Sequence, residues 1–425
     1  MRFGARFRPI GWWTSRPSLR ASKSCWACTK ANWPMWTTAE LLRASTPIAR
    51  PCCREPGRAL LRPFWKPAYP VGGPSWRPVA EVTMSSPPGQ SIQIREATPG
   101  DDEGVNRLFQ TVFGFERSAE HFRWKVYDNP DGQMVALVAL AADQVVGYYG
   151  FWPTGLRLGG KHLLGGQGLD IMLHPDHRGL PLALRLCGGC IDLAGQRGMQ
   201  LLYGLPNALA LKLQVSKLNS DHVGDVPLWV RILDHRESLG VPGLRGCAVR
   251  ALGLLPLRLP HGFDLKDTPP DEVQLEAFLS RVKLPHGRLR VATTASRLLW
   301  RFGPHAQRNY VWHSAWQGGE LQGLVVVGDH TQPNMALLSE MLGVADAPQE
   351  AALQQALRHL KHRGVTAVHA MSSAGPRDAI LKACGFRRRR VTQPLVVHKP
   401  LAVTLPANPH VFEDWVIFGA DHDVY

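Results

Sequence analysis

At 425 residues, 44% of them hydrophobic, the chain is long enough for two or three domains, and a formal net charge of +15 would suit a polyanion-binding protein if it were spread evenly. It is not: residues 1–90 carry 14 Lys and Arg against three acidic residues, Glu40, Glu55 and Glu81, so this stretch holds +11 of the charge and the remainder is only mildly basic. The balance therefore excludes nucleic-acid binding by the folded part as the meaning of the high isoelectric point. No apolar run reaches the length of a membrane span, Asp143 and Gln144 interrupting the best candidate, so the expectation is a soluble, cytoplasmic protein with no membrane partner.

Residues 1–90 hold seven of the 14 Trp and four of the eight Cys, mixed with Pro and Arg and without a sustained helical or strand period. They read as a disordered basic leader, or as a frame begun too early, with Met84 as the alternative start. Cys25 and Cys28 form a CxxC pair, but the adjacent Cys52 and Cys53 lack ligand spacing, and no metal is expected. Cys187, Cys190 and Cys384 lie in apolar helical patterns and read as small buried hydrophobes.

From residue 91 a continuous pattern of alternating strands and helices begins. Ile92 to Glu96 is a strand; Asp101 to Phe113 is a helix whose acidic start, Asp101, Asp102 and Glu103, suits a helix N-terminus. Ser118 to Tyr127 is helical, and the run Asp128-Asn129-Pro130-Asp131-Gly132 turns the chain. Strands Met134 to Ala141 and Gln144 to Pro153 follow, joined by a tight turn, and another strand spans Leu156 to Leu164.

The chain is organised around Leu169 to Gly198. Leu169, Ile171 and Leu173 alternate with Asp170, Met172 and His174, the period of a strand with two different faces. The strand stops at Pro175, and after Arg178 and Gly179 the apolar residues recur at helical spacing, with Pro181 as the first helical residue. A loop emptying into a helix N-terminus presents free N–H groups and the positive end of a dipole, a seat for a phosphate, with Arg178 beside it. Gln200 to Leu205 is the next strand, Asn207 caps the helix Ala208 to Leu218, Asn219 is a left-handed cap, and Val226 to Leu233 closes the unit.

The run Arg178, Gly179, Leu180, Pro181, Leu182, Ala183 resembles the acyl-CoA-binding motif of the GCN5-related N-acetyltransferase (GNAT) superfamily, with Pro181 where the family usually has Gly. The resemblance implies a mixed α/β sheet flanked by helices, acetyl-CoA as co-substrate, and no metal. It assigns the pyrophosphate to Arg178, Gly179, Leu180, Leu182 and Ala183. Met172 lines the pantetheine side, the backbone of Leu173 polarises the thioester carbonyl, and Asn207 helps hold the cofactor where two parallel strands splay. The catalytic candidate is Asp170, a carboxylate on the central strand whose pKa burial could raise into the range of a general base, against the alternative of a structural carboxylate bonded to its neighbours. The family's Tyr in the last helix is missing from ALALKLQVSKL. His174 and His177 read as turn residues, and Phe115, Phe122, Trp124, Tyr127 and Tyr149 as core aromatics that include any acceptor pocket.

Residues 239–425 repeat the order. Val241 to Pro260 connects; a helix spans Asp271 to Ser280, and Ser296 to Phe302 leads to strands Tyr310 to Trp316, Leu321 to Gly328 and Met335 to Leu342. Helix Gln349 to Arg363, strand Val365 to Met371 and helix Arg377 to Cys384 follow. GVADAP stands where the first copy has HPDHRG, so no pyrophosphate is expected there, and Arg387 to Arg390 reads as a solvated strand edge. The domains expected are thus a leader (1–90), an N-acetyltransferase domain (91–238) and a degenerate GNAT-like domain (239–425). The function expected is acetyl transfer to a small-molecule or peptide amine. The alternatives are a non-catalytic acyl-CoA sensor and an aminoacyl-transferase of the peptidoglycan-bridge kind, the latter disfavoured by the lack of a basic groove or helical arm.

Overall fold

The computed structural model describes residues 84–85, 91–234, 261–304, 308–373, 375–399 and 404–423. The cysteine pairs at 25, 28, 52 and 53, almost all of the leader and the connection at 241–260 lie outside the described residues. Within the leader, Met84–Ser85 (β1) pairs antiparallel with Ser91–Glu96 (β2), Met84 opposite Ile92.

The first half continues with helix α1 (Asp102–Phe113), α2 (Ala119–Val126), β3 (Val135–Ala141), β4 (Gln144–Leu158), β5 (Lys161–Leu173), α3 (Leu180–Gln196), β6 (Leu201–Gly204), α4 (Ala208–Lys217) and β7 (Ser220–Ile232). Short apolar-rich elements end where the local chemistry says they should. Ser118 caps α2 by accepting from the His121 N–H at 3.1 Å, and Gly114 closes α1 at a φ of 80°, which glycine adopts without strain. The separate strand expected at 156–164 does not exist. Gly159 and Gly160, both at positive φ, form a hairpin turn, so β4 runs through Leu158 and β5 runs unbroken from Lys161 to Leu173.

The second half comprises β8 (Asp264–Lys266), α5 (Glu272–Leu279), β9 (Leu289–Val291), α6 (Ala295–Arg301), β10 (Tyr310–Gln317), β11 (Glu320–Asp329), β12 (Met335–Gly343), α7 (Asp346–His362), β13 (Ala367–Met371), α8 (Pro376–Ala383), β14 (Arg387–His398) and β15 (Trp415–Val416). All these strands and those of the first half join one twisted, mostly antiparallel sheet with helices on its faces. Its main path is β1-β2-β3-β4-β5-β6-β14-β7-β13-β12-β11-β10-β8.

That order shows a reciprocal exchange. β14, late in the chain, lies between β6 and β7, while β7 lies between β14 and β13. Each half thus completes the other's sheet, and the core follows: Trp229 of β7 and Leu233, the residue after that strand, sit in the cluster built by β11, β12, α7 and β13. Trp300 of α6 is buried with Trp124 and Trp152 of the first half. Arg387 to Arg390, expected at an edge, pair with β7 on one side at Arg387 and Arg388 and are mostly exposed.

Two places on the main path of this sheet have parallel neighbours, and both come apart. β5 and β6 pair only from Gly165↔Leu201 to Gly168↔Gly204, while β5 continues five residues further. β12 and β13 pair from Met335↔Ala367 to Leu338↔Ala370, while β12 continues to Gly343. The second opening is filled by the chain itself. Phe418 bridges Ser372, the Ser373 N–H donates to Ile417 O at 2.9 Å, and Ile417 N–H donates to Ser373 Oγ at 2.7 Å. Gly419 lies so close to Ser339 O and Leu338 O that a Cβ there would collide with both.

Candidate active site

The open end of the β5/β6 separation faces the loop His174 to Gly179 and the start of α3. The His174 N–H donates across to Val146 O on β4 at 2.8 Å, and Leu173 stands opposite Gly147 in the same antiparallel ladder. A residue whose successor makes that bond belongs to a non-hydrogen-bonded pair, so the N–H and C=O of Leu173 face away from β4, toward the gap that β6 has left. The Leu173 carbonyl there accepts from Arg178 Nε at 3.4 Å. Met172, one residue back, turns its backbone toward β4 and buries its side chain to 1% exposure with Leu169 and Trp152. Of the two, Leu173 is the one that faces a ligand in the gap.

The alternation read from Leu169 to His174 is interrupted. One residue of β4, Tyr149, faces two of β5, Asp170 and Ile171, and Asp170 takes a φ of 54°. This β-bulge shifts the register by one residue, so Leu169 shares a face with Met172 while Ile171 and Leu173 pack on the other, beneath α3.

The bulge delivers Asp170 to two cations. Its Oδ2 accepts from Arg117 Nη1 at 2.8 Å and its Oδ1 from Lys125 Nζ at 3.0 Å, with all three side chains 8% exposed or less. Lys125 also reaches Asp423 at 3.4 Å, and Arg117 is held by Asn106 and sandwiched between the rings of Phe109 and Phe122. Burial alone would raise the pKa of Asp170, but Lys125 and Arg117 outweigh it and hold the carboxyl below the usual range. This corrects the expectation of a raised pKa: Asp170 is an ion-paired carboxylate committed to Arg117 and Lys125, as in the structural alternative. Arg117 and Lys125 were missed in the sequence. The signal was there in Lys125, a charge placed between Trp124 and Val126 on the buried face of a helix.

On the phosphate side, α3 starts at Leu180 with Gly179 as N-cap, so Pro181 is the second helical residue where the first was expected. Its missing N–H still falls among those with no acceptor inside the helix. The N–H groups of Leu180 and Leu182 belong to this first turn, whereas the Ala183 N–H donates to Gly179 O at 3.1 Å and is spent, which removes Ala183 as a backbone donor. Arg178 is exposed beside them. Asn207 caps α4, its side chain accepting from the Ala210 N–H at 2.9 Å, and Gln393 of β14 fixes the exit of β6 by donating to Leu205 O and Pro206 O at 2.9 and 2.8 Å. His174 makes the expected turn contact, its Nδ1 accepting from the Asp176 N–H at 3.3 Å. Phe122, Trp124 and Tyr149 are core residues, while Phe115 is 54% exposed.

A bulged strand that parts from its parallel neighbour, ends in a basic loop and feeds a helix N-terminus spans the region matched by the family model described as acetyltransferase (GNAT) domain, residues 93–211. Residues 93–211 form a GNAT acyltransferase domain. Solved structures share the fold over both halves. A probable N-acyltransferase from Enterococcus faecalis V583 is 13% identical, with 73% of each chain covered and a TM-score of 0.51. A GCN5-related N-acetyltransferase from Anabaena variabilis is 12% identical, with 72% of each chain covered and a TM-score of 0.51. The Saccharomyces cerevisiae N-myristoyltransferase with bound myristoyl-CoA is 12% identical over 79% of this chain and 92% of its own, at 0.51. No curated protein matches the sequence.

In the GNAT domain the first turn of α3 tests the phosphate seat. Pro181→Gly adds one free N–H and lets the backbone approach a ligand more closely, so acetyl-CoA should bind more tightly in a calorimetric titration. Loss of the preset φ should cost the empty protein about 1 kcal/mol. Unchanged or weaker binding would place the phosphates elsewhere. Among the described residues no cluster of three His, Cys, Asp or Glu is arranged to hold a metal, and no helix is long and apolar enough to cross a membrane.

Proposed function

We propose that the chain transfers an acetyl group from acetyl-CoA to an amine, using residues 91–238 as the catalytic half and residues 239–425 as a half without cofactor chemistry. The observation that carries this reading is the β5/β6 separation, left without strand pairing beyond Gly168 and Gly204 in the first half with the Leu173 N–H facing into it, whereas Ile417, Phe418 and Gly419 pack into its counterpart in the second. The pantetheine arm enters the open gap and pairs with the exposed backbone of Leu173, which also polarises the thioester carbonyl as an oxyanion-type donor. Arg178 and the N–H groups of Gly179, Leu180 and Leu182 receive the pyrophosphate, and Asn207 holds the mouth of the gap. A short acyl group is supported by the apex of the separation, where Tyr149 and Phe151, 1% and 0% exposed, fill the space beyond Gly168.

With Asp170 neutralised by two cations, the acceptor enters as the free amine. Attack forms the C–N bond and breaks the C–S bond, and the proton lost by nitrogen ends on the thiol. The same locked carboxylate, together with an α4 that carries no Tyr, favours a second reading as an acyl-CoA sensor without turnover. Thiol release with a panel of small and peptide amines separates the two.

The binding step is tested by Arg178→Ala, expected to weaken acetyl-CoA by about 1–3 kcal/mol in a calorimetric titration, the scale of a charge-assisted hydrogen bond. Arg387→Ala should leave the affinity unchanged. Equal losses from both, or no binding by the parent chain, would overturn the reading.

A further inference from the structure

The β5/β6 separation closes at the pair Gly168 and Gly204. On the side of the sheet that carries α3 and α4, two polar side-chain atoms stand there with no hydrogen-bond partner among the described residues, the hydroxyl of Tyr149 and Oε1 of Gln214. Both residues are buried, at 1% and 3% exposure. Gly168 makes room for the first, and Gly204 lies beside the second. The Tyr149 hydroxyl occupies the place a Cβ on Gly168 would take, and a Cβ on Gly204 would lie 3.8 Å from Gln214 Oε1 and 3.8 Å from Gly168 O. Phe151 packs edge-on against the Tyr149 ring, at 5.2 Å between centroids, and holds it in place.

A buried polar atom without a partner destabilises a fold, and native cores hold few of them. Two at one apex, a hydroxyl and a carboxamide on different elements, fit a ligand that brings the complementary groups. The cysteamine end of an acyl-CoA does so, since an amide N–H donor stands two carbons from the thioester sulfur, an acceptor.

We propose that Tyr149 and Gln214 form the subsite for the thioester end of coenzyme A. The Tyr149 hydroxyl donates to the sulfur, and Gln214 Oε1 accepts the N–H of the cysteamine amide. When the amine attacks and the C–S bond breaks, the electron pair leaves on the sulfur facing Tyr149, so the strand β4 supplies the contact that α4 lacks. The assignment rests on the acyl-CoA reading above.

The full chain is titrated by calorimetry with coenzyme A, with desulfo-coenzyme A and with adenosine 3′,5′-bisphosphate, in the parent and in Tyr149→Phe and Gln214→Leu. The parent should prefer coenzyme A over the desulfo compound by about tenfold, and Tyr149→Phe should abolish that preference while keeping the affinity for the desulfo compound. Gln214→Leu should weaken both compounds about equally and leave the bisphosphate unchanged. The melting temperature of the empty Tyr149→Phe protein should hold or rise, because an unpartnered hydroxyl is removed. A parent that binds none of the three overturns the acyl-CoA reading itself. A parent that binds all three while Tyr149→Phe keeps the sulfur preference, or loses both compounds equally with a lower melting temperature, overturns the subsite alone.

Discussion

Asp170→Ala is expected to lower the stability of the protein by about 3–5 kcal/mol, the range for removing one partner of a buried ion pair. The loss comes from what is left behind. Arg117 and Lys125, with side chains 2% and 8% exposed, would keep their charges in a site that no longer answers them, apart from the second contact of Lys125 with Asp423. Urea unfolding of the parent and variant measures the difference, and a change below about 1 kcal/mol would show that the two cations find water or other partners.

The same network gives a pH dependence with a defined sign. The pKa of Asp170 in the folded state lies below its ordinary value, the cations outweighing the burial. Its contribution is therefore fully present above the unfolded pKa of about 3.9 and is lost as pH falls through the lower folded value. Asp170→Asn keeps the shape and removes the titration, so its stability should fall less steeply than that of the parent below about pH 4. Parallel curves for the two proteins would count against the ion pairs.

Trp300→Ala should cost about 3–5 kcal/mol, as expected for emptying a buried aromatic site. The indole stacks on Trp124 at 5.0 Å and meets Trp152 edge-on at 5.0 Å. Its N–H donates to Trp124 O at 3.2 Å, and the Trp124 indole returns a bond to Trp300 O at 2.8 Å. These contacts cross between the halves, but they are not what joins them. Because β14 lies between β6 and β7, and β7 between β14 and β13, neither half has a complete sheet alone. The variant should thus unfold at lower denaturant in one transition, monitored by fluorescence and circular dichroism together. Two resolved transitions would mean that the shared strands do not couple the halves.

The local elements of this protein are written in its sequence, because periodicity and capping depend on neighbours a few residues apart. Ser118 and Asn207 cap the helices they precede, Asn219 takes the left-handed conformation expected of it, and the basic loop at Arg178 does empty into a helix N-terminus. In the second half the sequence has GVADAP, with acid in place of the Arg and Gly pair, and predicts no phosphate seat there. What decided the site came from further away. The bulge at Asp170 depends on how β4 and β5 meet, and it reversed the faces that strict alternation assigns. The partners of Asp170 are 53 and 45 residues distant on other elements, so the same carboxylate reads as a base in one dimension and as an ion-pair anchor in three. The exchange of β7 and β14, and the chain end that fills the second opening, are matters of which surfaces find each other. No period within a strand records its neighbour in the sheet.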